Sequence, residues 1–214
     1  MEDFPPKRRK EMKKVLITLT IIMLLVPFAT FAGIFDLSVG ATAQYKLPWD
    51  ASSGEFEWED GMTDPANYAF GADIRTRVLF AEVDVMALYD QIDPNTHTLS
   101  SLVTGGVSLD LLGLVRVGLG LGPRVRVEFG DDLVFYDADG GVLLVENYSE
   151  ALMGSDLTWR ATADVKLGKI LVGLNYTVDS NGFTIDNSDF TKLLPTDSQW
   201  NSGRIGVSAL FTLF

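Results

Sequence analysis

The final stretch of the chain is Gly203-Arg204-Ile205-Gly206-Val207-Ser208-Ala209-Leu210-Phe211-Thr212-Leu213-Phe214, and every second residue from Ile205 to Leu213 is apolar. This alternation predicts a β-strand with one apolar face. A strand of this kind at an open sheet edge promotes aggregation, whereas a closed barrel has no open edge. The terminal strand therefore favours a barrel.

The same period-two pattern recurs in seven earlier segments. They are residues 34–46, 67–78, 80–90, 99–110, 114–128, 157–167 and 170–179. Tight turns are predicted at Leu79, at 111–113 and at 168–169, and they alternate with connections at 47–66, 91–98, 129–156 and 180–201. Strands of about ten residues suit tilted membrane strands, and long loops on one rim are typical of outer-membrane barrels. We predict an all-β fold, an eight-stranded up-and-down antiparallel transmembrane β-barrel.

Residues 15–32 form a short apolar run after Lys13 and Lys14, and the run ends in Thr30-Phe31-Ala32. This order of basic, apolar and small residues is typical of a secretory signal peptide. We expect cleavage after Ala32, which leaves residues 33–214 as the barrel domain. Met12 is an alternative start of translation, and an uncleaved anchor is the other interpretation of this run.

The composition excludes several classes of protein. Residues 1–32 hold six of the 17 basic and three of the 29 acidic side chains, so residues 33–214 carry a formal net charge of −15. A chain this acidic is repelled by phosphates, so nucleic acid is not an expected partner. The absence of cysteine excludes disulfides and thiolate metal sites. We expect no cofactor.

A secreted lipocalin-like barrel is the soluble alternative, with its apolar face inside. Two features favour the membrane barrel instead. The first is a set of charges of both signs on the polar faces, which we expect to pair across a narrow lumen: Asp73, Arg75, Arg77, Glu82, Asp84, Arg116, Arg124, Arg126, Arg160, Asp164, Lys166 and Arg204. The second is a set of aromatic residues near the strand ends, predicted to form the two girdles of a membrane barrel: Tyr45, Tyr68, Tyr89, Trp159, Tyr176, Phe211 and Phe214.

The export signal, the eight alternating strands, the loop asymmetry and the terminal Phe214 together resemble the small outer-membrane β-barrels of the outer membrane protein A, X and W type. The resemblance covers nearly all of residues 33–214 as architecture. It implies a monomer in the outer membrane of a Gram-negative-type envelope, with membrane lipid and the barrel-assembly machinery as partners. In those barrels the terminal phenylalanine shares the phase of the lipid-facing residues, whereas Phe214 lies out of phase.

Several other residues are candidates for metal binding or catalysis. The loops 47–66 and 129–156 are acidic and contain no basic residue, so divalent cations are candidate ligands, although we favour a solvated acidic surface. Asp137-Ala138-Asp139-Gly140 is predicted to be a hairpin turn rather than a calcium loop.

Some small barrels modify lipid A with histidine and serine, but His97, Ser100 and Ser101 match no motif, so no enzyme activity is expected. Gly118, Gly120 and Gly122 are expected to leave room for opposing arginines or a passage.

Two functions follow from this sequence. One is a structural or surface-interaction protein with a lumen closed by its ionic network and acidic extracellular loops. The other is a porin-like narrow channel for small solutes or apolar molecules, in which lumen arginines would set selectivity. An eight-stranded barrel has an interior about filled by side chains, which favours the first.

Overall fold

A computed structural model describes residues 35–50, 52–93, 96–129, 133–136, 141–143, 148–186 and 189–214. The predicted signal peptide, residues 1–32, lies outside the described residues. The strands are β1 (Phe35–Lys46), β2 (Trp49–Asp50), β3 (Glu55–Phe56), β4 (Tyr68–Val78), β5 (Ala81–Asp93), β6 (Thr96–Leu111), β7 (Val115–Phe129), β8 (Leu133–Tyr136), β9 (Val142–Leu143), β10 (Asp156–Leu167), β11 (Ile170–Thr184) and β12 (Arg204–Thr212).

Eight of these strands form a closed antiparallel barrel. Around the ring the order is β1, β4, β5, β6, β7, β10, β11 and β12, so each strand pairs with its neighbours in sequence, and β12 returns to β1. The closing register runs from Ser38 opposite Thr212 to Lys46 opposite Arg204. The predicted up-and-down barrel is confirmed.

The strand bounds differ from the prediction mainly on the loop side. The connection predicted over 91–98 is largely strand, because β5 continues to Asp93 and β6 already begins at Thr96. β11 extends to Thr184, five residues past its predicted end. The last strand ends at Thr212 rather than Phe214, although the Leu213 N–H still donates to the Leu37 carbonyl at 2.8 Å.

The barrel has its polar face inside and its apolar face outside. Four arginines in the lumen, Arg75, Arg116, Arg124 and Arg160, are each 1% exposed. Aliphatic residues of the opposite phase, such as Val83, Leu174 and Val207, are at least half exposed on the outer wall. A continuous apolar outer surface marks a membrane interaction site, and every strand is paired, as a lipid environment demands. The arrangement is that of a transmembrane barrel and is the reverse of a lipocalin.

In the described parts of the long connections lie three short α-helices: α1 (Trp58–Thr63), α2 (Tyr148–Gly154) and α3 (Asp197–Asn201). Thr196 caps α3 in a reciprocal capping box with Gln199. None of the helices among the described residues has the length and hydropathy needed to span a membrane.

Two apolar clusters lie toward the loop side. The predicted hairpin above β7 is present as β8 and β9, and Phe135 of β8 packs with Val125, Val127 and Ala151 of α2. The hairpin's turn, 137–140, lies outside the described residues. A second cluster was not predicted: Ala69, Met86, Leu88 and Leu102 are buried together on β4, β5 and β6. The lumen is therefore not polar throughout.

Candidate functional site in the barrel lumen

A chain of five alternating charges crosses the middle of the lumen. Arg75 lies between Asp73 and Asp164, with N–O distances of 2.9 and 2.6 Å. Arg160 lies between Asp73 and Asp84, at 2.6 and 2.9 Å. All five side chains are at most 8% exposed. We call this set the central ion chain.

The central ion chain joins opposite walls of the barrel. Asp73 and Arg75 are on β4 and Arg160 and Asp164 are on β10, and these two strands lie four places apart in the ring of eight. Asp73 accepts hydrogen bonds from both arginines and from the Ser208 hydroxyl at 3.1 Å. Because paired charges need further donors and acceptors to offset the loss of hydration, this shared coordination stabilises the buried chain.

Neutral polar side chains extend the central ion chain toward β1, β11 and β12. The Gln44 amide donates to Asn175 at 2.9 Å, and Asn175 donates to the Ser208 hydroxyl at 3.1 Å. On the other side, the Ser108 hydroxyl donates to Glu82 at 2.7 Å. The middle of the lumen is thus occupied by polar side chains that are hydrogen-bonded to one another.

A second ionic cluster lies at the rim that carries the tight turns. Asp110 accepts from Arg77, Arg116 and Lys166, each at 2.9 Å. Arg116 also reaches Asp36 across the barrel, with an N–O distance of 2.6 Å between β7 and β1. We call these five residues the turn-side cluster. Its two carboxylates, Asp36 and Asp110, lie on the polar faces of their strands, as the alternation in the sequence predicts.

The glycines of β7 have a different role from the one predicted. A Cβ at Gly118 would lie 2.6 Å from the Thr162 hydroxyl and 3.3 Å from the Glu82 carboxylate, and one at Gly120 would lie 3.1 Å from the Thr104 hydroxyl. A Cβ at Gly122 would lie 1.8 Å from the Val103 carbonyl oxygen. These glycines give room to hydroxyls, a carboxylate and the backbone of β6, not to arginines.

The lumen widens on the loop side into a cavity of about 150 Å³. We call it the loop-side cavity. The residues that line it are Lys46, Trp49, Arg124, Arg126, Thr177, Asp179, Gln199, Ser202, Gly203 and Arg204. Arg124, Arg126 and Arg204 belong to the predicted ionic network, but the structure places them here, at the mouth, and not with the central ion chain. Arg124 donates to the Ser100 hydroxyl at 3.2 Å.

The predicted loop-side girdle is a set of ring contacts around the barrel. Tyr45 and Tyr68 lie 5.1 Å apart between ring centroids, and Tyr68 stacks on Phe70 at 6.4 Å. The polar groups of several of these aromatic side chains donate hydrogen bonds to backbone carbonyls in the loops. The Tyr68 hydroxyl donates to the Met62 carbonyl at 3.0 Å and the Trp159 indole N–H to the Leu193 carbonyl at 2.9 Å, and Tyr176 donates to the Trp200 carbonyl.

The aromatic residues of the opposite rim are near the chain end. Phe214 lies 6.4 Å from Phe35 between ring centroids. The Lys169 ammonium lies 5.9 Å above the Phe211 ring. Phe211 pairs with Val39 and Ile170 in the closing strands, which places it on the outer wall near the turns.

His97, Ser100 and Ser101 do not converge. His97 Nδ1 lies 2.5 Å from the Tyr89 hydroxyl and its ring stacks on Tyr89. Ser100 faces the lumen, where it accepts from Arg124, while Ser101 hydrogen-bonds Tyr148 outside. A nucleophile needs its base within hydrogen-bond reach, and each of these groups is engaged elsewhere.

Two carboxylates of the acidic first loop accept hydrogen bonds from nearby residues: Asp64 accepts from the Ala66 N–H at 2.9 Å, and Asp50 accepts from two serines. Backbone and hydroxyl donors of Ser52 and Ser53 bind Asp50 and lower its pKa to about 2, the backbone N–H of Ser52 being the main cause. In the described part of the chain, no three histidine or acidic side chains group as metal ligands would. Asp137 and Asp139 lie outside the described residues.

Comparisons with known proteins give architecture only. No protein-family model matches the chain, and no curated protein matches it. Several solved structures resemble it, and two of them are as follows. A chain from a study titled "De novo design of transmembrane beta-barrels" has 12% identity and a TM-score of 0.43, with 83% of this chain and 95% of that chain covered. Neisserial surface protein A has 11% identity and a TM-score of 0.38, with 83% and 94% covered. Because both scores are low, the function proposed below rests on contacts within this chain.

Proposed function

We propose that this protein is an integral outer-membrane β-barrel with a closed lumen and a structural or surface-interaction role. The observation that carries the proposal is the central ion chain, which joins β4 to β10 across the lumen through Arg75 and Arg160. Buried pairs of this kind are weak evidence for stability, but breaking one leaves a buried charge uncompensated. Two ionic layers in series would each have to separate before an ion could pass.

The outer wall supports the membrane location. Its exposed aliphatic side chains would be a liability in water, whereas lipid removes that surface from water at roughly 25 cal/mol per Å². The aromatic pairs near the loops suit the polar–apolar boundary, where one end of the ring is wet. On this proposal the partners are membrane lipid and the assembly machinery that inserts the barrel, and the protein is a monomer.

The loops are the proposed functional surface. They carry the acidic residues of 47–66 and 129–156. Tyrosine side chains tie α1, α2 and α3 to the barrel, through the hydroxyls of Tyr68, Tyr148 and Tyr176. We favour a solvated acidic surface over a site at which divalent cations bridge these carboxylates to anionic lipid. Calorimetry at millimolar calcium distinguishes them, since binding heat is expected only from the cation site.

The membrane location is tested by fractionating cells that express the full chain. We expect it in the outer-membrane fraction, with a mobility on unboiled gels that changes on boiling. Protease added to intact cells should cut the segments between β1 and β4 or between β7 and β10. Recovery from the soluble periplasm, with no heat-dependent gel shift, would refute the proposal.

The narrow channel is the competing function. It requires the central ion chain and the turn-side cluster to open, and the N–O distances of 2.6 to 2.9 Å in both support the closed arrangement. Conductance measurements separate the two functions, because only an open channel gives stepwise current.

A further inference from the structure

We propose that the outer wall of the barrel holds one acyl chain of a membrane lipid in a trough that crosses β12, β1, β4 and β5. The inference rests on the proposed membrane location and goes beyond it, because lipid on the rest of the wall is expected to exchange freely. It holds whether or not the lumen is closed.

The floor of the trough is set by the register of the strands. On four adjacent strands the outward-facing residue is alanine, and the pairing brings the four into one continuous row: Ala209, Ala41, Ala72 and Ala87. All four side chains are exposed. The row ends on β6 at Ser101, whose hydroxyl is hydrogen-bonded to Tyr148. Five strands spaced by about 4.8 Å make this row roughly 19 Å long.

Larger side chains form a bank on each side of the alanine row. The row on the turn side contains Phe211, Val39, Ile74 and Val85. The row on the loop side contains Val207, Phe70 and Tyr89. Each of these seven side chains is 38–57% exposed, so both banks project from the wall while the alanines between them do not. We call the alanine row with its two banks the outer trough.

A recess on the outer wall lies next to the outer trough on the loop side. Its volume is about 380 Å³, and it is lined mainly by aliphatic and aromatic residues. Ala43 lines it and interrupts the loop-side bank, since it is paired with Val207 on one side and with Phe70 on the other. Tyr45 and Tyr68 line its far end. A path of small side chains therefore leads along β1 from the trough to the rim.

The Tyr45 hydroxyl is an unused hydrogen-bond donor at the rim end of this path. It is buried, and within the described residues it has no hydrogen-bond partner. It lies below α1, because a Cβ on Gly61 would be 3.1 Å from the hydroxyl oxygen. Buried hydroxyls are normally hydrogen-bonded, and tyrosine suits the boundary where one end of the ring is wet. An ester or phosphate oxygen of a lipid headgroup at this depth would accept from Tyr45.

The shape of the outer trough selects a hydrocarbon chain over a protein segment. Outward rows of a strand are about 7 Å apart, which is narrower than a helix of about 10 Å. In a bilayer, association is driven by packing, and small residues allow close approach. A chain in the trough contacts the floor and both banks, and so gains more dispersion contacts than a chain on a flat wall.

The outward alanine of β10 shows the contrast. Ala163 is also exposed, but its partners in the same row are Leu174 on β11 and Val117 on β7. A single alanine between two large side chains makes a dimple and no trough. Ala163 therefore provides a matched control for the floor of the trough.

The test is native mass spectrometry of the full chain, folded into vesicles of dimyristoyl phosphatidylglycerol and then extracted in a maltoside detergent. We expect the wild type to retain a single lipid. Ala41→Leu, which fills the floor of the trough, should remove most of the bound lipid. Tyr45→Phe should lower the lipid-bound fraction by about fivefold, the factor for one lost hydrogen bond. Ala163→Leu should leave retention unchanged.

Flotation with the vesicles and the gel shift on boiling are recorded for every variant, so that lipid loss is counted only in folded, inserted barrels. Failure of the wild type to float would refute the membrane location and this inference with it. A wild type that floats but retains no lipid would overturn the inference alone, as would equal loss in Ala163→Leu. A dimer that Ala41→Leu dissociates would place a second copy in the trough instead of lipid, and would also overturn it.

Discussion

The two ends of the lumen contain similar residues in different arrangements. On the turn side and in the middle, arginines alternate with carboxylates, and the pairs span opposite strands, as between Arg116 and Asp36 and between Arg75 and Asp164. At the loop-side mouth, the described residues that line the cavity include four basic side chains, of Lys46, Arg124, Arg126 and Arg204, and the carboxylate of Asp179. Pairs of opposite charge therefore close the middle and the turn side of the lumen, whereas a cavity of about 150 Å³ remains at the loop-side mouth.

The largest expected effect is at the centre of the closed region. Asp73→Ala leaves Arg75 and Arg160 buried beside a missing partner. Removing one member of a buried pair costs about 3–5 kcal/mol, and we expect that loss in the free energy of unfolding, measured by urea titration in lipid vesicles. Asp179→Ala at the mouth is the comparison and should cost far less. Equal losses at the two positions would erase the difference between the regions.

Steric room in the lumen gives the next largest effect. Gly118→Ala places a methyl group 2.6 Å from the Thr162 hydroxyl, so neighbours must shift, and overpacking of this kind costs about 1–3 kcal/mol. Gly105→Ala is the matched control, because no atom lies within 4 Å of its added Cβ. Urea titrations of the two variants should differ. If they agree, the lumen around Gly118 is looser than the contacts indicate.

A smaller effect is expected where the aromatic girdle holds the loops. Trp159→Phe removes the indole N–H that donates to the Leu193 carbonyl while keeping an aromatic ring on the wall. Loss of one hydrogen bond costs about 1 kcal/mol, and limited proteolysis should show faster cleavage in the segment 185–203. Tyr89→Phe, which alters a side chain on β5 instead, should not change cleavage there.

The smallest effect is a local pH dependence in the first loop. The pKa of Asp50 is lowered to about 2 by the serine donors, while an unfolded aspartate titrates near 3.9. Its contribution to loop order is therefore present above about pH 4 and is lost as the pH falls toward 2. Carbon-13 NMR of the Asp50 carboxyl should show this low midpoint. Ser52→Ala should raise it, whereas a normal midpoint in the wild type would contradict the hydrogen bonds seen here.

Most of the fold could be predicted from the sequence, since alternation fixes which face of each strand is apolar and the turns fix the strand order. The loop ends of β5, β6 and β11 could not, because residues such as Gln91 and Ser180 carry no apolar alternation and are held by their partners in the barrel. The burial of Met86 and Leu88 could not be predicted from the sequence either. Their phase was visible, but their burial depends on which side chains meet across the lumen.

The sequence predicted which charged residues lie in the lumen. It did not predict that they form separate groups in the centre, at the turn side and at the loop-side mouth. The phase of Arg124 and Asp164 on their strands places both in the lumen, yet only the register between strands separates a mouth from a centre. Asp110 forms ion pairs with three basic side chains, Arg77, Arg116 and Lys166. These side chains come from three different strands, β4, β7 and β10. Pairing over such separations in sequence cannot be read from local patterns.

The closed lumen is tested most directly by planar-bilayer conductance of the full chain, after a gel shift on boiling has shown that the barrel is folded. A variant that removes one pair across the lumen in each ionic layer, Arg75→Ala with Asp164→Ala and Arg116→Ala with Asp36→Ala, is measured beside it. We predict that the wild type conducts no discrete current, and that the variant, inserted in the same bilayers, leaks. Stepwise conductance in the wild type, changed by Arg160→Gln, would contradict the closed lumen and establish a channel.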